Sequence, residues 1–412
     1  MTTVCIPLRH ILRPREVVGK QHLPILSVYR DYGVVHKDSR SDNFNKTPLD
    51  LSRYQEVRPG DLVVNKMKAW QGSLAVSQYH GIVSPDYLVC SLSPAVHPQY
   101  LHYLLRSSPL IFEYERRSKG IRPAQWRLYW DDLAAVLVTI PKVDEQHRIA
   151  DFLNGEVAGI DELIIKKLQM IKLLDERLDA HILRAVEIGL NPDVPLKAVR
   201  SEWIGEIPLH WSLPPVSAHF EVQLGKMLTA EASAGTEQFP YLRNLNVQWD
   251  RIDLDDLATM SFNEADRIRY RLEPGDLLVC EGGEVGRAAV WKGHTDEIFF
   301  QKAIHRVRPH RDGNTRFLMY CLRAAAKQNV FAVEGNQSTI VHLTAEKLRV
   351  HRFPFPPLEE QHSIVEYLDH RRDEKSSVRS LLERQIPLLQ ERRQALITAA
   401  VTGQLNTPGA AA

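Results

Sequence analysis

A pattern of motifs repeats along the 412-residue chain after about 215 residues, and this repeat limits the folds that the chain can adopt. Residues 59–64 (PGDLVV) recur as residues 274–279 (PGDLLV), and residues 141–147 (PKVDEQH) recur as residues 356–362 (PPLEEQH). Several matches in the same order at a nearly constant offset indicate a duplicated structural unit. The sequence therefore predicts two copies of one plan.

Each copy begins with a part of mixed secondary structure. The Pro-Gly-Asp motif is a turn signal, and it precedes a short aliphatic run at 62–64 and again at 277–279, which predicts a strand in each copy. Apolar residues at helical spacing follow at 100–106 and at 316–327. We therefore expect both globular parts to be mixed α and β.

A long helix is predicted after each globular part. Apolar residues recur every seven positions from Val157 to Leu178, which is the seam pattern of a coiled coil. A second row contains Lys167 and His181, which lie either at a loosened edge of the seam or at positions that fix its register. A helix of this extent would be on the order of 70 Å long.

The C-terminal copy carries leucines at the same interval of seven residues, at Leu382, Leu389 and Leu396. Pro387 interrupts this pattern, and we expect it to kink or interrupt the helix, because proline removes a backbone donor. Since a globular part separates the two long helices, an antiparallel pair is the natural arrangement.

The predicted fold class is α+β with an internal pseudo-two-fold repeat. We expect two globular mixed α/β domains, each followed by a long helix, with the two helices packed as an antiparallel coiled coil. The predicted ranges are a domain at 1–143, a central helix at 144–190, a domain at 191–357, a C-terminal helix at 358–404 and a disordered tail at 405–412.

The net charge of +1 hides two basic regions. Residues 1–143 carry 19 Lys and Arg against 12 Asp and Glu, and residues 267–328 carry 12 against 7. Such regions attract a polyanion such as nucleic acid, although an ordinary solvated surface would have the same composition.

Several function classes lack their motifs. No apolar stretch is long enough for a membrane span, and no secretory signal opens the chain, so we expect no membrane association and a cytoplasmic location. The 4 cysteines form no C-x-x-C pair, which argues against a zinc ribbon or a disulfide scaffold. Phosphate-binding loops, H-E-x-x-H, adenine methyltransferase and nuclease motifs are missing, and residues 281–286 (EGGEVG) are interpreted as a tight turn. We therefore predict no catalytic residues, no metal site and no cofactor in this chain.

Several segments resemble the specificity subunit of type I restriction–modification enzymes. Residues 356–361 (PPLEEQ) and 394–404 (QALITAAVTGQ) are similar to the ends of that family's long helix. Residues 203–211 (WIGEIPLHW) resemble the entry to a target recognition domain, and residues 70–72 (WQG) and 82–87 (IVSPDY) resemble its interior. The first copy lacks the entry motif, so the start of its domain is less sharply defined.

The resemblance implies a non-catalytic subunit that recognises a bipartite site on double-stranded DNA. Each target recognition domain would read one half of the site, with unread bases between the halves. Two copies of a modification subunit would bind S-adenosylmethionine and methylate adenine. Restriction (translocase) subunits would use ATP and Mg to move and cut the DNA.

Base reading requires polar side chains on loops that reach a groove, with Arg or Lys suited to guanine and Asn or Gln to adenine. Instead of reading a base, each of these residues could contact a phosphate or have an ordinary surface role. The loops of the two copies differ, which predicts an asymmetric site. The candidate DNA-binding residues are Lys66, Lys68, Gln71, Arg122, Gln125 and Arg127 in the first domain, and Arg287, Asn336, Gln337, Ser338 and Thr339 in the second.

Two other functions are compatible with part of the pattern. The chain could be a solitary enzyme that modifies or cuts DNA, although the motifs for those reactions are missing. It could instead be a coiled-coil scaffold whose end domains bind protein, and its association would then be insensitive to salt.

Overall fold

A computed structural model describes residues 3–30, 32–39, 47–122, 125–201, 203–235, 237–293, 297–333 and 342–406. The chain forms two compact units. Unit 1 comprises Met1–Leu168 with Leu382–Ala412, and unit 2 comprises Gln169–Leu381. Each of the two long helices therefore contributes one part to each unit. The predicted bounds of the domains and helices stay a prediction.

The elements of the first half of the chain end with the first long helix. They are β1 (Val4–Pro7), β2 (Leu12–Pro14), β3 (Leu26–Tyr29), β4 (Gly33–His36), β5 (Gln55–Val57), β6 (Leu62–Asn65), β7 (Leu74–Val76), β8 (Gly81–Val83), β9 (Tyr87–Leu92), α1 (Pro98–Leu105), α2 (Ser108–Arg117), α3 (Trp130–Ala134), β10 (Leu137–Ile140) and α4 (Val143–Ile188).

The elements of the second half begin with a short hairpin and end with the second long helix. They are β11 (Leu196–Ala198), β12 (Glu206–Pro208), β13 (Phe220–Leu224), α5 (Ala230–Ala234), β14 (Gln238–Leu242), β15 (Val247–Gln248), β16 (Arg251–Ile252), β17 (Ala258–Ser261), α6 (Glu264–Tyr270), β18 (Leu277–Cys280), β19 (Ala288–Val290), β20 (Phe299–Phe300), β21 (Ile304–Pro309), α7 (Thr315–Lys327), α8 (Val330–Val333), α9 (Ala345–Val350) and α10 (Leu358–Val401).

The two units share one sheet topology. Unit 1 has a four-stranded antiparallel sheet in the order β2-β9-β6-β7, and unit 2 has the same arrangement in the order β13-β21-β18-β19. Side chains alternate between the two faces of a strand, so both faces of the central strand are buried. Leu62 and Val64 pack in one apolar cluster and Val63 packs in another. In unit 2, Leu277 and Leu278 likewise pack in two different apolar clusters. The duplicated mixed fold predicted from the repeat is confirmed.

The repeated Pro-Gly-Asp motif forms the turn that opens the central strand of each sheet. Gly60 and Gly275 have φ of 91° and 95°, a left-handed conformation that glycine adopts without steric cost. The carboxylates of Asp61 and Asp276 accept the backbone N–H three residues earlier, at 2.8 and 2.7 Å. Each buried carboxylate is neutralised by an arginine at 2.6 Å, namely Arg15 and Arg308. The motif is therefore structural.

The two long helices pack antiparallel in each unit, as the sequence predicted. In unit 1, Asp161 of α4 pairs with Arg393 of α10 at 2.9 Å. In unit 2, Asp175 pairs with Arg379 at 3.2 Å. Residues of α4 that come later in the chain thus meet residues of α10 that come earlier. The seam residues of α4 at seven-residue spacing are buried or half-buried.

The two polar seam residues both bind the opposite helix. Lys167 donates to Gln385 Oε1 at 2.6 Å in unit 1, and His181 Nδ1 lies 2.9 Å from the hydroxyl of Tyr367 in unit 2. A specific polar partner at a seam position favours one alignment of the helices over others. These contacts support the interpretation that the residues fix register.

Helix α10 does not end at Pro387, contrary to the expected interruption. Proline has no backbone N–H to donate to the carbonyl one turn earlier in a helix. Pro387 is exposed, so this carbonyl lies on the solvent side of α10. The helix ends at Val401. Leu405, in the predicted tail, packs against the core of unit 1, and residues 407–412 of that tail lie outside the described residues.

A buried glutamine explains the repeated Pro-x-x-x-Glu-Gln motif at the start of each long helix. Gln146 donates to the Pro141 carbonyl at 2.9 Å, and its Oε1 accepts the backbone N–H of His97 at 2.8 Å. Gln361 makes the equivalent bonds, at 2.9 Å each, to the Pro356 carbonyl and to the N–H of Asn314. His97 and Asn314 are the N-caps of α1 and α7. The glutamine thus fastens the domain to its long helix.

Gln361→Ala is expected to lower the free energy of unfolding by about 2–4 kcal/mol, because two backbone groups, one of them buried, lose their partners. Gln390→Ala, at an exposed position of the same helix, should change it by less than about 0.5 kcal/mol. Urea denaturation followed by circular dichroism measures both. Equal effects of the two substitutions would show that Gln361 has no fastening role.

Candidate nucleic-acid interface

The first candidate segment follows strand β6 in unit 1. The Asn65 side chain accepts the backbone N–H of Met67 at 3.1 Å, which turns the chain away from the sheet. A single 3-10 turn, Ala69–Gln71, follows. Lys68 and Gln71 are exposed on this turn. The local hydrogen bonds thus place two polar side chains beyond the end of the sheet.

The second candidate segment joins α2 to α3. The backbones of Lys119 and Arg127 pair with each other at 3.0 and 2.9 Å and form the base of a loop. Within the loop, the Gln125 N–H donates to the Arg122 carbonyl at 2.8 Å, and both side chains are exposed. Residues 123–124 of the loop lie outside the described residues. The paired base fixes where Arg122 and Gln125 emerge.

Two contacts hold these segments side by side. The Leu128 N–H donates to the Lys66 carbonyl at 2.9 Å, so the loop ends against the turn after β6. The rings of Trp70 and Trp126 meet edge to face with centroids 5.5 Å apart. The structure therefore brings the two candidate segments of unit 1 together as one surface.

The six candidates of unit 1 are not equally available. Lys66 donates to the Pro85 carbonyl at 2.7 Å, and Arg127 lies 3.4 Å from Asp86. No hydrogen bond or ion pair within the described residues engages the other four side chains, which are all exposed: Lys68, Gln71, Arg122 and Gln125. These four can reach a ligand without breaking an internal contact, whereas Lys66 and Arg127 cannot.

Unit 2 repeats the junction between the two segments. The Leu343 N–H donates to the Glu281 carbonyl at 2.8 Å, at the same repeat offset as the bond from Leu128 to Lys66. Residues 281–286 form the expected tight turn, in which Gly286 has a φ of 79°. Gly286 packs closely on Phe331, because a Cβ added at this glycine would lie 2.6 Å from the ring. The turn is therefore a fixed part of the surface.

Arg287 is engaged inside unit 2. Its guanidinium is 16% exposed and donates to the carbonyl and the side-chain oxygen of Asn244, at 3.0 and 2.9 Å. It therefore braces the turn, and its use in base reading stays a prediction. The remaining candidates of this unit lie outside the described residues: Asn336, Gln337, Ser338 and Thr339.

An acidic side chain on this turn, Glu284, is not among the residues predicted from the sequence to bind DNA. Glu284 is 54% exposed and accepts a hydrogen bond from the indole of Trp249 at 2.6 Å. The two residues line a cavity of about 280 Å³ together with Lys327 and Phe331. A carboxylate at this position can accept from the amino group of cytosine. The two glutamates at 281 and 284 are the sequence feature from which an acidic contact on this turn could have been predicted.

Two buried cysteines lie on strands of the four-stranded sheets, Cys90 on β9 and Cys280 on β18. Burial raises the pKa of Cys90 to about 12 and that of Cys280 to about 11, so both thiols are protonated at neutral pH. A protonated thiol is a poor nucleophile and a poor metal ligand. Over the described ranges, no cluster of three or more His, Cys, Asp or Glu residues is arranged to hold a metal ion.

The described helices include none with the length and apolar character needed to cross a membrane.

Known proteins are similar to the chain at the level of sequence. Residues 220–377 match the family model described as "Type I restriction modification DNA specificity domain". The chain is 28% identical over 174 residues to the putative type I restriction enzyme MjaX specificity subunit of Methanocaldococcus jannaschii, an alignment covering 40% of each chain. It is 31% identical over 140 residues to the EcoBI specificity subunit of Escherichia coli, covering 33% of this chain and 28% of the relative. These alignments span less than half of the relatives' lengths.

Solved structures share the fold over almost the whole chain. One comes from work on complex assembly and conformational transition of the type I restriction–modification system, with a TM-score of 0.71 at 15% identity over 98% of both chains. The HsdS subunit of Thermoanaerobacter tengcongensis gives a TM-score of 0.54 at 15% identity, over 98% of this chain and 97% of that one. The predicted resemblance to the specificity subunits of type I restriction–modification enzymes is confirmed, and the family model described as "Type I restriction modification DNA specificity domain" matches residues 220–377 within unit 2.

Proposed function

We propose that this chain is the DNA-specificity subunit of a type I restriction–modification complex and that it recognises a bipartite site. The observation that carries the proposal is the equivalence of the two units. Unit 2 contains the matched specificity domain, and unit 1 repeats its sheet order and the hydrogen bond that joins its two candidate segments. Two equivalent domains in one chain would each read one half of a split DNA sequence.

The exposed side chains of unit 1 are suited to reading bases. Arg and Lys can donate to guanine, and Gln can bond to both groups of adenine at the edge that faces the major groove. Arg122 and Gln125 lie on a loop with a paired base, so their positions are set before DNA binds. Preorganised donors lose less entropy on binding than mobile ones.

The two units would read different sequences. Unit 1 presents Lys68 and Arg122, both cationic, whereas the described part of the unit 2 surface presents Glu284. Because guanine offers acceptors and cytosine offers a donor in the major groove, a cation and a carboxylate at matching places contact opposite members of a G·C pair, so the two surfaces would favour different base orders. The complete target would therefore be asymmetric.

Partner subunits would supply the chemistry. We propose that two modification subunits, binding S-adenosylmethionine, methylate adenine at the site, and that restriction subunits use ATP and Mg to cleave DNA. Exposed apolar side chains on α4 support a protein-binding role for this helix: Leu163, Ile165 and Leu168 in unit 1 are 49–54% exposed, and Met170 and Leu173 in unit 2 are 51% and 61% exposed. This chain would contribute recognition without catalysis, in the cytoplasm where the DNA lies.

A methylome map tests the proposed function. We expect that co-expressing the chain with the modification subunit of its own operon, in a host without DNA methylation, yields methylated adenines within one split motif. The matched control omits this chain. Methylation that is missing, or identical in the control, would contradict the proposal and favour a protein-binding scaffold.

Arg122→Ala combined with Gln125→Ala should alter one half of the split motif only. The expected loss is about 1–3 kcal/mol of discrimination per base contact, because each side chain recognises its base by direct hydrogen bonds. Arg148→Ala is the matched control, since it removes an exposed cation on the long helix of the same unit. Methylome maps of both variants give the readout, and a change in both halves would contradict separate reading by the two units.

A further inference from the structure

A cluster of four charged residues joins the globular part of unit 2 to helix α10. The guanidinium of Arg316, on α7, donates to both carboxylate oxygens of Asp369, on α10, at 2.7 Å. It also donates to both oxygens of Asp250, at 2.7 and 2.9 Å. Arg372 of α10 donates to Asp250 at 2.6 Å. One arginine therefore bonds two carboxylates in bidentate geometry, and a second arginine closes the cluster.

The cluster connects three separate segments. Asp250 lies at the tip of the β15–β16 hairpin with φ 56°, an uncommon conformation for a residue with a side chain. Its side chain is 13% exposed and that of Arg316 is 17% exposed. Burial raises the pKa of Asp250, but hydrogen bonds from Arg316 and Arg372 lower it further, so its pKa lies below its usual value. The hairpin, α7 and α10 are thus held by ionised groups.

Unit 1 has a neutral contact at the corresponding place. The residues equivalent to Arg316 and Asp369 are Gln99 and Asn154, at repeat offsets of 217 and 215 residues. Gln99 donates to Asn154 Oδ1 at 3.3 Å, and Tyr103 donates to the same oxygen at 2.8 Å. Tyrosine is retained in unit 2, where Tyr320 donates to Asp369 at 2.5 Å. The two units therefore share the geometry of this joint and differ in its charge.

The charge difference implies a difference in stiffness. Hydrogen bonds between ionised partners are about twice as strong as neutral ones, and bidentate pairs also fix orientation. Displacing one member of a partly buried network leaves another charge without its partner, which is costly. The joint of unit 2 therefore resists small rotations of the domain on α10 more strongly than the joint of unit 1 does on its helix.

We infer that Arg316, Asp250, Asp369 and Arg372 are positioning residues that make recognition sensitive to the number of unread base pairs between the half-sites. This inference rests on the proposed function. One added base pair moves a half-site by about 3.4 Å and rotates it by about 35°. Both joints share this displacement, so the ionised joint of unit 2 raises the cost of a wrong gap above the cost that two neutral joints would give.

The double substitution Arg316→Gln with Asp369→Asn tests the inference. It gives unit 2 the neutral pair that unit 1 already has, keeps the net charge and leaves Tyr320 an acceptor. Affinities are measured for the complex of this chain and the modification subunit, on duplexes carrying the mapped motif and on duplexes with a gap one base pair shorter or longer. We expect the preference for the correct gap to fall by about tenfold, while the effect of base changes within the half-sites stays the same.

A second ion pair of unit 2 provides the matched control. Lys226 and Asp266 lie 2.6 Å apart with 18% and 20% exposure, and they connect two segments within the globular part. Lys226→Gln with Asp266→Asn should leave the gap preference unchanged. Thermal unfolding of each variant reports whether the domain is folded.

The single substitution Asp250→Asn provides a milder test if the double variant does not fold. It releases the hairpin alone and should lower the gap preference in the same direction. An unchanged gap preference in a folded variant, or an equal loss of base discrimination, would overturn the inference. A wild-type chain that gives no split motif would instead refute the proposed function, so the two failures are distinguishable.

Discussion

The attachment of each globular part to its long helix depends on one buried glutamine side chain. Gln146 and Gln361 each bridge the carbonyl before the long helix and the first N–H of a domain helix. The two glutamines are 1% and 0% exposed, so their amide groups depend on these backbone partners for hydrogen bonds. The glutamine therefore fixes where each domain helix begins relative to its long helix.

The same scaffold carries unlike surfaces in the two units. The bonds from Leu128 to Lys66 and from Leu343 to Glu281 run between backbone groups, so they do not depend on which side chains the segments carry. The sequence of the exposed turns can therefore change while their placement at the end of the sheet is kept. This separation lets one fold present a cationic surface in unit 1 and a carboxylate, that of Glu284, in unit 2.

The sequence was sufficient for features that depend on local chemistry or periodicity: the duplicated plan, the central strands and the heptad seam. It was insufficient where partners lie far apart in the chain. Lys66 and Arg287 were predicted to be available to DNA, but Lys66 donates to the Pro85 carbonyl and Arg287 donates to Asn244. The bond between Arg316 and Asp369 joins residues 53 positions apart. Helix α10 accommodates Pro387 because this residue lies on the face exposed to solvent, which the sequence alone does not identify.

In the proposed function, two equivalent domains read the two halves of one DNA site. A scan of affinity over every single-base substitution in the mapped target, using the complex of this chain with its modification subunit, tests it most directly. We expect two blocks of sensitive positions, separated by positions at which all four bases bind equally well. One uninterrupted block of sensitive positions would contradict it.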